Sequence, residues 1–197
     1  MNEQSKLFML ILGCTPPGRH TEQHDVYFQI GKNVADLIPN IKEFWPEAKG
    51  DIHIDAWREV TNVNGYTIEI ISKGDNEITS VTGTSYRLFF LNLGGYKPNE
   101  FEEFHYKMLA VAPEKGEAIQ QAKQTAFYKH TGFKGATSHI DDKYGIDIDD
   151  VHAIEDILPA ENKLKYAIRI SKATTDHEDE LHLGYFTFQK LQLQKHL

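Results

Sequence analysis

Leu7–Leu12 is an unbroken apolar run, hydrophobic on both faces, as a central strand requires. After a turn, His24, Val26, Phe28 and Ile30 alternate with Asp25, Tyr27 and Gln29, the pattern of a half-buried strand. Val34, Leu37, Ile38, Ile41 and Trp45 then form one stripe on a period of about 3.6 residues, which predicts a helix. Asn33 stands where a helix cap belongs and Pro46 where the helix should stop. Two more strands are predicted at Ile52–Thr61 and Tyr66–Ile71, with Asn64-Gly65 between them as a hairpin turn whose residues both tolerate positive φ.

The same series recurs. Leu7-Phe8-Met9-Leu10-Ile11-Leu12-Gly13 matches Leu88-Phe89-Phe90-Leu91-Asn92-Leu93-Gly94 at an offset of 81 residues, and His24 falls on His105 at that offset. Phe44-Trp45 matches Phe127-Tyr128 at 83, and Tyr66–Ile70 matches Tyr166–Ile170 at 100. Matches that keep their order while the offset grows are the trace of duplication followed by insertion. In the second copy Pro113 is expected in the first turn of a helix whose buried stripe is Ile119, Ala122 and Ala126, with strands near Asp147–Ile157 and Lys165–Ile170. The predicted fold is therefore α+β: a tandem pseudo-symmetric repeat of a ββαββ unit, with antiparallel sheet and helices packed on one face. Residues 1–71 form the first repeat, 72–85 a linker, and 86–171 the second repeat with an inserted loop at 130–147. Residues 172–197 are a C-terminal extension with one strand. Halves this small gain by sharing hydrophobic cover, so a pseudo-dimer within one chain is expected.

Composition changes the picture mainly by exclusion. The formal net charge is −8, and no Lys/Arg cluster interrupts it, which argues against nucleic acid and anionic membrane as partners. The single cysteine, Cys14, suits a reducing, cytoplasmic setting. Ile11-Leu12-Gly13-Cys14 imitates a lipid-attachment box, yet the apolar run before it is short and recurs in mid-chain, so it reads as a strand in a soluble protein.

Lys6–Gly13, Thr21–Val26, Phe44-Trp45-Pro46 and His53–Val60 resemble the domain-of-unknown-function family numbered 1543. The resemblance extends over nearly all of residues 6–171 and implies one or two copies of the domain. It implies no activity, substrate or cofactor.

Four places could carry chemistry. The turn containing Gly18, Arg19 and His20 could cradle an anion through the Arg19 guanidinium, or simply be a hairpin stiffened by Pro16 and Pro17. In His20, Glu22, His24 and Asp25, residues two apart share a face, so His20, Glu22 and His24 could converge on a metal or substrate. The bland reading makes His24 a hydrogen-bonded residue at the margin of the core, with His105 as its counterpart. His53, Asp55, Trp57 and Glu59 are expected on one strand face, as a binding platform or as packing around Trp57. The acidic stretch from Asp141 to Asp150 fails the EF-hand template, since His152 stands where a glutamate is needed. Cys14 lacks an activating context.

Two functions follow. One is a small-molecule or protein-binding module using the surface between the repeats. The alternative is a metal-assisted, hydrolase-like enzyme built on His24, Asp25, His53 and Asp55, asymmetric and centred on the first repeat.

Overall fold

The computed structural model describes residues 4–74, 85–96, 99–124, 147–175 and 177–194. The chain is a mixed α+β protein with antiparallel sheets and few helices. It divides into two compact units, Met1–Val81 with Leu158–Leu197, and Thr82–Ile157.

In the first unit β1 (Lys6–Cys14) lies between β2 (Gln23–Gly31) and β3 (His53–Glu59), both antiparallel to it. It holds the centre because its two faces are both apolar. Phe8, Leu10, Leu12 and Cys14 are buried against Val34, Leu37, Ile38 and Ile41. The helix expected over that stripe is split into a 3-10 turn, Val34–Leu37, and α1, Ile38–Phe44. Pro39 explains the break: it lacks an N–H and is tolerated only where a helix begins. Asn33 does cap the segment, its Oδ1 accepting from the Asp36 N–H at 3.1 Å.

A second sheet in this unit has the order β4 (Asn62–Val63), β5 (Tyr66–Ser72), β9 (Tyr166–Lys172). Asn64 (φ 52°) and Gly65 (φ 76°) make the predicted turn. β9, expected to close the second repeat, pairs instead with β5 and belongs to the first unit. Glu69 faces Arg169 at the middle of that pairing, 3.0 Å apart, and these are positions matched at the offset of 100. Just before β9, α4 (Ala160–Lys165) buries Asn162. Its Oδ1 accepts from the Ile30 N–H at 3.1 Å and its Nδ2 donates to the Ile30 carbonyl at 3.3 Å, satisfying edge strand β2 where no neighbouring strand does.

The C-terminal extension supplies β10 (His182–Phe186), antiparallel to β3, and α5 (Phe188–Gln194). The extension thus holds a helix beyond its expected strand, and Leu191 joins the core under β1. Asp179 ties the extension down by accepting from the N–H groups of Thr61 and Asn62 and from the Thr61 hydroxyl.

The second unit has the strand order β7 (Glu103–Ala112), β6 (Arg87–Tyr96), β8 (Asp147–Ala153), again antiparallel. Phe89, Leu91 and Leu93 pack with Ala118 and Ala122 of α2 (Lys115–Lys123). Pro113 precedes the N-cap, Glu114, rather than lying in the first turn. The strand predicted to run to Ile157 stops at Ala153, and Ile154–Ile157 is a short helix, α3. Ala126, Phe127-Tyr128, most of the 72–85 linker and the acidic loop from Asp141 to Ile146 lie outside the described residues. Among the described residues no helix is long and apolar enough to cross a membrane.

Candidate metal centre

Residues directly opposite in an antiparallel sheet put their side chains on the same face. Gly13 lies opposite His24 on β2 and opposite His53 on β3, so both imidazoles stand on one face with no side chain between them. The room is needed. A Cβ on Gly13 would fall 2.5 Å from both His53 Nε2 and Asp55 Oδ2.

Asp55 reaches this group through a β-bulge. Ile11 pairs with Ala56 and Leu12 with Ile54, leaving Asp55 as the extra residue of β3. Without the bulge the alternation would carry His53, Asp55, Trp57 and Glu59 along one face, as the sequence suggests. With it, the strand changes face after Asp55. Trp57 lies opposite Leu10 and packs into the core on the helix side, 6.2 Å from the Phe8 ring. The expected platform is therefore divided: His53 and Asp55 stay on the histidine side, while Trp57 and Glu59 do not.

Glu22, two residues before His24, completes the group. His24 Nε2 lies 3.4 Å from Glu22 Oε2 and 3.3 Å from Asp55 Oδ2. His53 Nε2 lies 3.1 Å from Glu22 Oε1 and 3.2 Å from Asp55 Oδ1. Each imidazole nitrogen thus faces both carboxylates. Charge-assisted N–H···O bonds shorten to about 2.7–2.9 Å, and these contacts are longer. Donors about 2.0–2.2 Å from one zinc ion, by contrast, stand roughly 2.9–3.6 Å from each other. Asp55 Oδ2 is buried and accepts no hydrogen bond. A buried carboxylate oxygen without a donor is costly unless a positive charge compensates it.

The group is deepest at His53, whose side chain is 8% exposed, and opens to solvent at Glu22 and His24, at 43% and 44%. The Tyr185 ring of β10 lies beside His53, with centroids 4.2 Å apart. A second irregularity places it there: Leu183 pairs with Ala56 and Phe186 with Ile54, and Gly184 between them has φ 133°. On the other side of the same strand pair, His182 stacks on Trp57 at 3.7 Å.

The remaining predicted residues are placed as follows. Asp25 lies opposite Leu12, so it points away from His24, and its Oδ1 accepts from the Val26 N–H at 2.7 Å. Glu22 takes the place assigned to it. Arg19 and His20 lie in an exposed turn closed by the Arg19 N–H donating to the Pro16 carbonyl at 3.1 Å. His24 is half-exposed rather than a core residue. His105 lies opposite Gly94 in the other unit, with Nε2 3.3 Å from Asp149 Oδ2. Cys14 is buried, and burial pushes its thiol pKa up, reinforced by the charges of Asp51 and Glu22. Tyr185 carried no local signal, because only the pairing of β10 with β3 brings it near.

Among solved structures, the crystal structure of protein Il1583 from Idiomarina loihiensis is similar over 92% of this chain and 97% of that one, with a TM-score of 0.59 at 20% identity. A likeness at that identity shows the fold. No curated protein matches the chain. Residues 19–70, a narrower stretch than the resemblance implies but one holding Glu22, His24, His53 and Asp55, match the model of the Domain of Unknown Function (DUF1543), consistent with a member of that family.

Proposed function

We propose that the first unit is a divalent-metal-binding module, with the ion held by Glu22, His24, His53 and Asp55. The observation that carries this is the convergence of two imidazole Nε2 atoms and two carboxylates at 3.1–3.4 Å, with Asp55 Oδ2 buried and without a hydrogen bond. Two neutral imidazoles and two carboxylates carry a charge of −2, matched to a divalent ion. Mixed nitrogen and oxygen donors suit zinc, manganese, iron, cobalt or nickel better than calcium. The binding module expected from the sequence used the surface between the repeats; this reading places a cation instead within the first unit, where the metal-assisted alternative was centred.

The test is metal analysis with thermal unfolding of the full chain. Zinc added to chelator-treated protein should raise the melting temperature by several degrees, since a ligand of the native state stabilises it. His53→Ala should greatly reduce the effect at low zinc. A wild-type chain whose melting is indifferent to zinc, manganese, cobalt and nickel overturns the reading.

A metal-assisted hydrolytic role is the second reading. The exposure of Glu22 and His24 favours it, because an ion at this place would remain within reach of water and substrate, and a metal-bound water is a nucleophile at neutral pH. Hydrolysis of a phosphate or carboxylate ester by the zinc-loaded chain, lost in His53→Ala, would support it. No turnover by a chain that binds metal would reject it.

We also read the two units as descendants of one ancestor. Support comes from equal strand order, β2-β1-β3 and β7-β6-β8, and from bulges at matched places, Ile11/Leu12 and Asn92/Leu93.

A further inference from the structure

The second unit repeats the geometry that makes the first cluster, with different donors. Gly94 of β6 lies opposite His105 on β7 and opposite Asp147 on β8, as Gly13 lies opposite His24 and His53. The β6–β8 register shifts between Asn92 and Leu93, which pair with Asp150 and Ile148, so Asp149 is the extra residue, as Asp55 is in β3. A Cβ on Gly94 would lie 2.5 Å from Asp149 Oδ2 and 3.0 Å from Oδ1, so here too the missing side chain is what admits the carboxylate. Glu103 stands two residues before His105, as Glu22 stands before His24. One donor atom from each of Glu103, His105 and Asp149 lies within 4.8 Å of the other two. His105 Nε2 is 3.3 Å from Asp149 Oδ2.

A separate observation points the same way. Asn92, two residues before Gly94 and therefore on its face, has a buried side-chain oxygen with no hydrogen-bond partner, while its Nδ2 donates to Asp150 at 3.3 Å. A buried amide oxygen without a donor is an arrangement that a cation relieves.

We infer that the second unit holds its own cation site, formed by Glu103, His105 and Asp149, and that this site is harder in donor character than the one in the first unit. The first cluster offers two imidazoles and two carboxylates, the second one imidazole and two carboxylates. Oxygen donors favour manganese and magnesium, whereas imidazole favours zinc, copper and nickel. The three residues are exposed, whereas His53 is buried, so the second site is also the weaker one. The chain is thereby a two-ion protein with unlike sites, not a one-site protein with a relic.

Equilibrium dialysis of the chelator-treated full chain against zinc and against manganese, with bound ion measured directly, tests this. Wild type should bind two ions per chain at saturation, the second about tenfold or more weakly for zinc. Asp149→Asn should lose the weaker ion and keep the tighter; His53→Ala should do the reverse and show a manganese-to-zinc affinity ratio shifted toward manganese. Circular dichroism checks that both variants fold. Asp149→Asn binding as many ions as wild type overturns the second site. His53→Ala binding as many as wild type, with Asp149→Asn still losing one, overturns the first-unit reading and leaves the second site standing.

Discussion

Gly13 and His53 face each other across the β1–β3 pair so closely that a methyl group on the glycine would meet the imidazole Nε2 at 2.5 Å. The glycine is therefore part of the cluster although it donates nothing. The atoms it would meet, His53 Nε2 and Asp55 Oδ2, are side-chain ends, which can swing away, so Gly13→Ala should fold. It should displace His53 and Asp55 and weaken zinc binding by tenfold or more, at a stability cost of about 1–3 kcal/mol. Titration calorimetry beside thermal unfolding separates the two effects.

Asn162 serves both backbone groups of Ile30 with one amide. Asn162→Ala leaves a buried N–H and a carbonyl without partners, so a loss of about 2–4 kcal/mol is expected from two orphaned groups. Asn162→Asp keeps the acceptor but loses the donor and adds a charge, and should not rescue. Chemical denaturation of the three proteins reads this directly.

Asp179 gathers the Thr61 and Asn62 N–H groups at the point where the chain leaves β3 for the second sheet. Asp179→Ala should cost about 1.5–3 kcal/mol, because hydrogen bonds to a charged acceptor are the stronger kind. It should also loosen β10, visible as faster amide exchange over 182–186 and as a change in Trp57 fluorescence when the His182 ring leaves it.

Alkaline pH should destabilise the fold in two stages. Burial raises the Cys14 thiol above its ordinary 9.0, and burial with the charges of Glu161 and Glu43 raises the Tyr27 phenol above its ordinary 10.0. In both cases the folded chain holds its proton more tightly than the unfolded chain. Stability is then fully present below the unfolded values and falls as pH rises past them. Cys14→Ala should flatten the loss that begins near pH 9 and Tyr27→Phe the later one. Native Cys14 should also resist thiol reagents until the protein unfolds. A Cys14 thiol modified at the rate of an unfolded control contradicts the burial assigned to it.

Much of this was legible in the pattern of residues. The apolar run at Leu7–Leu12, the alternation from His24, the Asn33 cap and the Asn64-Gly65 turn are local signals, and local geometry honoured them. Convergence of His24 and His53 comes from the register that sets both against Gly13, which the repeat alone does not supply, since Asp147 stands opposite Gly94. The bulge at Asp55 was not legible either. Alternation is the only face rule a sequence supplies, and one inserted residue inverts it downstream, which is why Trp57 and Glu59 were assigned to the wrong side. Pairing of β9 with β5 was hidden for a related reason: strand partners across a hundred residues are chosen by tertiary fit, and Tyr66–Ile70 and Tyr166–Ile170 look alike whichever sheet they enter. Tyr185 needed both a new strand and a glycine kink.

Because Leu158–Leu197 returns to the unit begun by Met1–Val81, that unit is assembled from two separate stretches of the chain, while Thr82–Ile157 is one continuous stretch. During synthesis Thr82–Ile157 is complete before β9, β10 and Leu191, which the first unit needs to pair β5 and β3 and to fill its core, have emerged. A gene fragment ending near residue 81 would hold β1 to β5 and α1 but lack β9 (the partner of β5), β10 (the partner of β3) and Leu191.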